Sequence, residues 1–249
     1  MEVYLNRIDG WDDAILSMFY SKRSVTRELE NHIRDVVWEQ TNDCPCYGET
    51  NGKTIGAIFE RPCNEFTDWL NKLFKWAPIH ITMGRFLDFS FTVYGLHRAG
   101  QDDWDSHARR FDNRIIRSST RLADFANGEM SDYYKGKIIP TDQALDILEI
   151  KVPGEIEYNG ITYVKTVNGY IQKGMENQKD VKRGLYMLSI PSNFIFKCNL
   201  TEFAHLYKER RQEGTANPEV KECCEKCVDL LEAASQGYIN RDLLIKIKN

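Results

Sequence analysis

The sequence predicts an α+β fold: a central, mostly antiparallel sheet flanked by helices. Three observations carry that expectation. Amphipathic helical stretches concentrate at the two ends of the chain. Strand-like alternation lies between them, at its plainest in Leu87–Val93. Asn159-Gly160, between two apolar runs, is a strong two-residue hairpin signal. At 249 residues, with no internal repeat, low-complexity tract or clear linker, the chain reads as a single domain over 1–249.

Met1–Ile8 alternates as a first strand, with Val3, Leu5 and Ile8 apolar, and Asp9-Gly10 ends it. Asp12–Ser21 predicts a short helix with Ala14, Ile15, Met18 and Phe19 on one side. Val25–Gln40 predicts a second, with Leu29, Ile33, Val36 and Val37 inward. Asn42–Lys53 has the Pro, Gly and Asn content of a loop, and Thr54–Phe59 reads as a short strand. Asn64 stands where a helix cap is expected, ahead of the apolar face Phe66, Trp69, Leu70, Leu73 and Phe74. Leu87, Phe89, Phe91 and Val93 then alternate with Asp88, Ser90, Thr92 and Tyr94. Gly95–Gln101 and Asn127–Lys137 read as loops.

Thr141–Glu149 predicts a helix and Glu155–Ile171 a hairpin. Leu185–Phe196 reads as a strand interrupted by Pro191. Asn199–Arg211 and Glu219–Ser235 predict two closing helices, separated by Gly214–Pro218.

Net charge is −4, with 42% hydrophobic and 28% charged residues. That balance predicts no bulk attraction to nucleic acid, so any anion site must be local. No apolar run reaches membrane-spanning length, and Met1–Asp13 lacks the apolar core of a secretory leader, which points to the cytoplasm. The odd count of seven cysteines fits reduced thiols. Cys44-Pro-Cys46 and Cys224-Glu-Lys-Cys227 have no second pair to complete a zinc set, so no metal is expected. His107 and His205 read as polar helix-surface residues and His80 as a satisfied core histidine.

Positive charge gathers in Asp102–Phe125. If this stretch is helical, Arg110, Arg114, Arg117 and Arg121 recur at i, i+4, i+7 and i+11 as one stripe. Trp104, Ala108, Phe111 and Ile115 form a neighbouring apolar face, with Asp102, Asp103 and Asp105 at the helix start. Arginine suits a bidentate grip on phosphate. A solvated charged face is the plain alternative. A non-enzymatic nucleotide- or nucleic-acid-binding protein using the Arg109–Arg121 stripe is the competing functional class.

The order of residues in the second half of this stretch favours the enzyme. Ser119-Thr120-Arg121-Leu122-Ala123-Asp124-Phe125 resembles the end of the signature of flavin-dependent thymidylate synthases, the ThyX family. Aligned without gaps, Arg109 falls on the first arginine of that signature, Arg110 on its histidine and Phe111 on its second arginine. Ser119 falls on its serine, Arg121 on its last arginine and Leu122 on its tyrosine. Arg183 through Asn199 resembles a second family block running from an arginine to an asparagine. Arg210 followed by Ala216-Asn217-Pro218-Glu219-Val220 resembles a third, and Phe89-Ser90-Phe91 resembles the strand ahead of the signature. Gly84-Arg85-Phe86 stands where the family has Phe-Glu-His.

The resemblance implies a homotetramer binding FAD and a pyrimidine nucleotide. It implies one-carbon transfer from methylenetetrahydrofolate to C5 of dUMP with NADPH as reductant, or a closely related nucleotide modification. It also implies nucleotide contacts from Ser119, Thr120, Arg121, Arg183 and Arg210, with Ser119 the catalytic candidate, and flavin contacts from Arg109, Arg110 and Asn199. In such enzymes the flavin carries the chemistry and no cysteine attacks the base.

Overall fold

The computed structural model describes residues 1–22, 25–41, 48–49, 62–106, 114–118, 131–166, 169–178, 188–211 and 217–247. The chain divides into two compact units: Met1–Tyr94, Gly100–Ile116 and Phe194–Asn249 form the first, Gly95–Ala99 and Arg117–Asn193 the second.

The first unit begins with β1 (Glu2–Asp9), α1 (Trp11–Tyr20), α2 (Arg27–Gln40) and the two-residue β2 (Gly48–Glu49). It continues through α3 (Asn64–Trp76), α4 (Ile81–Gly84) and β3 (Asp88–His97). Then come α5 (Arg98–Ser106) and β4 (Arg114–Arg117). β3, α5 and β4 each run across the division between the units at one end. The strand order in the main sheet is β2-β1-β3-β8-β4, where β8 spans Pro191–Asn199.

β1 pairs antiparallel with β3 and with β2, and the β1–β3 register sets Val3 opposite Val93 and Leu5 opposite Phe91. An irregularity between Leu5 and Arg7 shifts that register by one residue and places Ile8 opposite Phe89. The alternation read from Leu87–Val93 is the core face of β3: Leu87, Phe89, Phe91 and Val93 are fully buried.

Helices cover this apolar face. α7 (Leu200–Arg211), α8 (Pro218–Ala234) and α9 (Arg241–Lys246) close the chain, with α8 packed on β1 and α7 against α8 and α9. Phe91 stacks on Phe196 of β8 at 5.0 Å and on Phe203 of α7 at 5.8 Å between ring centroids. Trp104 of α5 meets Phe196 edge-on at 5.0 Å. In α3 all five expected residues, Phe66, Trp69, Leu70, Leu73 and Phe74, are buried. The helix cap there is Cys63 rather than Asn64: its sulfur accepts from Phe66 N–H at 3.4 Å. Gly10 allows the turn from β1 into α1. Its φ of +82° suits glycine, and a Cβ there would lie 1.9 Å from the Phe86 carbonyl oxygen.

The arginine stretch departs from expectation. β3 runs on to His97 and α5 starts at Arg98, so Gly95–Gln101 is strand and helix instead of loop, and Asp102, Asp103 and Asp105 lie in the later part of α5. Arg114–Arg117 is a strand, so no helical stripe passes through Arg114 and Arg117. Ile115 and Ile116 are a β-branched pair that prefers a pleated surface, and a place in the sheet beside β8 outweighs helical spacing. Trp104 is fully buried, in keeping with the apolar face read for this stretch. Residues 107–113 and 119–130 lie outside the described residues, as does the expected strand Thr54–Phe59. His80 is exposed, not a core residue; it precedes α4 and lies 5.7 Å from the Trp76 ring.

The second unit contains α6 (Thr141–Ile147) and a three-stranded antiparallel sheet of β5 (Glu155–Tyr158), β6 (Ile161–Thr166) and β7 (Gly169–Gln172). Asn159 and Gly160 make the expected turn, with φ of 53° and 74°, both left-handed as a type I′ hairpin requires. Gly160→Ala is expected to lower stability by about 1 kcal/mol, because the alanine must hold a positive φ. A thermal melt checks this.

Candidate functional site

Of the residues singled out by sequence, Asn199 and Arg210 are described. Ser119, Thr120, Arg121, Arg183, Arg109 and Arg110 lie outside the described residues. Both described residues are buried at the two ends of one segment: Asn199 ends β8 and Arg210 lies in the last turn of α7.

Asn199 caps α7. Its side-chain oxygen accepts from Glu202 N–H at 2.9 Å, satisfying one of the donors a helix start leaves open. Its amide NH₂ group is a donor.

Arg210 sits inside because of helical spacing. Phe203, Tyr207 and Arg210 recur at i, i+4 and i+7, so the arginine inherits the core-facing side of α7 and is only 3% exposed. Arg211, next in the chain, is exposed, while Arg210 is not. Burying a guanidinium is costly unless it is paired, and Asp103 of α5 supplies the pair. Arg210 Nη1 donates to Asp103 Oδ1 at 2.9 Å, and Nη2 donates to the Asp103 backbone carbonyl. Nε is buried and has no hydrogen-bond partner among the described residues. Asp103, read from sequence as helix-start charge, is thus the counter-ion of the candidate site.

Arg210 lines a cavity of about 240 Å³ together with Tyr207, Arg211, Lys221, Cys224 and Glu225. The cavity draws its walls from the end of α7 and the first turns of α8, whose Asn217 cap accepts from Glu219 N–H at 2.9 Å. The Arg211 guanidinium lies 5.4 Å from the Tyr207 ring centre. Burial, with the Glu225 carboxylate beside it, pushes the Tyr207 phenol above its ordinary range. Burial also pushes the Cys224 thiol well up, so it stays protonated and unreactive at neutral pH. Glu225 is shared with Arg241 of α9, whose Nε donates to it at 3.0 Å.

The walls therefore hold three cationic side chains, one of them neutralised by Asp103, a protonated phenol, and a carboxylate already engaged elsewhere. Such a lining can bind and orient a small polar, partly anionic guest, and it presents no activated nucleophile. Arg211, Lys221, Tyr207 and Glu225 were not singled out by sequence, because ordinary charged helix positions carry no distinguishing spacing.

Cys223, Cys224 and Cys227 lie buried in α8, with Cys198 buried in β8. Among the described residues no group of three or more His, Cys, Asp or Glu side chains could hold a metal ion. No helix among them is long and apolar enough to cross a membrane.

No protein-family model matches the chain, and no curated protein matches it. Solved structures do. One is the crystal structure of thymidylate synthase X (ThyX) from Helicobacter pylori with FAD and dUMP. It matches with a TM-score of 0.55 at 13% identity over 98% of this chain and 100% of its own. A second, flavin-dependent thymidylate synthase ThyX from Helicobacter pylori complexed with FAD and dUMP, matches with a TM-score of 0.53 at 11% identity, over 98% and 99% of the two chains. The chain has a ThyX-like fold, a mixture of helices and antiparallel sheet matched along nearly its whole length.

Proposed function

We propose that this chain is a flavin-dependent enzyme of pyrimidine nucleotide metabolism. It transfers a one-carbon unit from methylenetetrahydrofolate to C5 of dUMP, with FAD as cofactor and NADPH as reductant, or carries out a closely related modification of a pyrimidine nucleotide. The observation that carries this reading is Arg210: a buried arginine fixed on Asp103, on the wall of a cavity, in a chain folded like two structures that hold FAD and dUMP.

A buried guanidinium N–H without a partner among the described residues suits an oxygen acceptor of a bound nucleotide. Asn199 keeps amide donors while its oxygen caps α7, which suits one hydrogen bond to a flavin acceptor. When bound, FAD supplies the redox chemistry of the transfer. The chain's own residues bind and orient. Arg121, Arg183 and Arg210, with Ser119 and Thr120, hold the nucleotide, and Ser119 stands at the reacting base. Arg109, Arg110 and Asn199 hold the flavin. The reading includes a single-domain chain, a homotetramer and a place in the cytoplasm.

Thermal shift with dUMP, dCMP, UMP, FAD and folates, together with the flavin absorbance of the purified protein, tests the proposal. Yellow protein stabilised by a pyrimidine nucleotide is expected. Arg121→Ala should weaken dUMP binding by about 100-fold, the loss of a charge-assisted phosphate contact, while the melting temperature of the free protein stays unchanged. Colourless protein that no nucleotide stabilises would count against the assignment. A steeply salt-dependent oligonucleotide affinity would favour the nucleic-acid-binding alternative instead.

A further inference from the structure

The cavity lined by Arg210 has an uneven charge balance. Arg210 is answered by Asp103 at 2.9 Å. Arg211 and Lys221 line the same cavity, and neither has an ion pair among the described residues.

For Lys221 a pair is expected. Glu225 follows it by four residues on α8, the spacing at which charged side chains of a helix meet. The same helix makes such a pair between Glu222 and Lys226, at 2.7 Å. Glu225 turns instead to Arg241 of α9, whose Nε and Nη2 both donate to its Oε2 at 3.0 Å. Arg241 also reaches Asp229 and Glu232. One guanidinium thus grips three carboxylates along the face of α8 that begins with Lys221. Arg241 itself does not line the cavity. Lys221 also stands in the first turn of α8, where the helix dipole disfavours a cation. An anion beside it relieves that cost.

We propose that Arg241 is a positioning residue for this cavity: it holds Glu225 aside and so keeps Arg211 and Lys221 available for a phosphate monoester group of the ligand. Two unanswered positive charges, next to the unpartnered Nε of Arg210, match a group that carries about −1.5 to −2 at pH 7. A carboxylate, with one negative charge, leaves a cation unanswered. The inference rests on the nucleotide reading for the rest of the ligand. Without Arg241, Glu225 is free to swing to Lys221 or Arg211 and occupy the place of the phosphate.

Calorimetric titration of the full chain with inorganic phosphate, acetate and dUMP tests this. The parent should bind phosphate saturably and acetate at least 10-fold more weakly, and phosphate should compete with dUMP. Lys221→Gln should weaken phosphate and dUMP by about 10-fold each. Arg241→Gln should do the same, and Arg241→Lys should lose less. Adding Glu225→Gln to Arg241→Gln should restore the affinity, because the competing carboxylate is gone. A purely structural role for Arg241 gives no such rescue. If Arg241→Gln unfolds, Lys221→Gln decides alone. A double variant as weak as Arg241→Gln, or phosphate affinity unchanged by Lys221→Gln, would overturn the proposal. So would acetate bound as tightly as phosphate. Binding of dUMP that neither phosphate nor Lys221→Gln affects would overturn it and leave the nucleotide reading standing. Phosphate binding that follows the expected pattern in a protein that ignores dUMP would leave this site standing and remove the nucleotide.

Discussion

Asp103→Ala is expected to lower the unfolding free energy by about 3 kcal/mol, read from the midpoint of urea denaturation at unchanged slope. The magnitude comes from what remains after truncation. Arg210 stays 3% exposed, with Nη1 stripped of the carboxylate it donates to and only the bond from Nη2 to the residue 103 backbone carbonyl left. A buried charge without its counter-ion costs far more than the net worth of the pair. Asp103→Asn keeps the backbone carbonyl and a side-chain acceptor, and should cost about 1 kcal/mol. Asp103→Leu with Arg210→Met removes both charges and should recover most of the loss, since apolar side chains of similar volume replace buried pairs well. Equal loss in the double variant and in Asp103→Ala would show that packing, rather than the stranded charge, sets the cost.

The second large effect lies in the ring stack. Phe91 is fully buried, stacked between Phe196 of β8 and Phe203 of α7, so one side chain joins two strands and a helix. Phe91→Ala should cost about 4 kcal/mol, combining the lost transfer energy with an unfilled cavity that rigid aromatic neighbours cannot close. Phe86, 46% exposed, provides the control: Phe86→Ala should stay within about 0.5 kcal/mol of the parent. Calorimetric or urea unfolding of the two variants checks the contrast.

Both effects trace to features of unequal visibility in the sequence. The period-2 run Leu87–Val93 and the helical face of α3 were legible because many residues repeat one pattern. The Asn159-Gly160 turn was legible because few residues tolerate its backbone angles. The strand Arg114–Arg117 was not, because four arginines at helical spacing outweigh an isoleucine pair in any local reading, and its sheet partner β8 lies over seventy residues away. The Cys63 cap was not legible, because a thiol is an unusual acceptor and Asn64 beside it is a common one. Arg210 and Asn199 were proposed for the site through ordered blocks that resemble a family's, not through local pattern. Asp103 was missed as a partner because the pair spans α5 and α7, a contact that sequence spacing does not encode.

Titration of dUMP into the purified protein, repeated with Arg121→Ala and Arg210→Met, bears on the whole proposal at once. Saturable, stoichiometric binding by the parent is expected, weakened by about 100-fold in each variant while both remain folded. Absence of dUMP binding by folded parent protein, or affinity that neither substitution changes, would contradict the account.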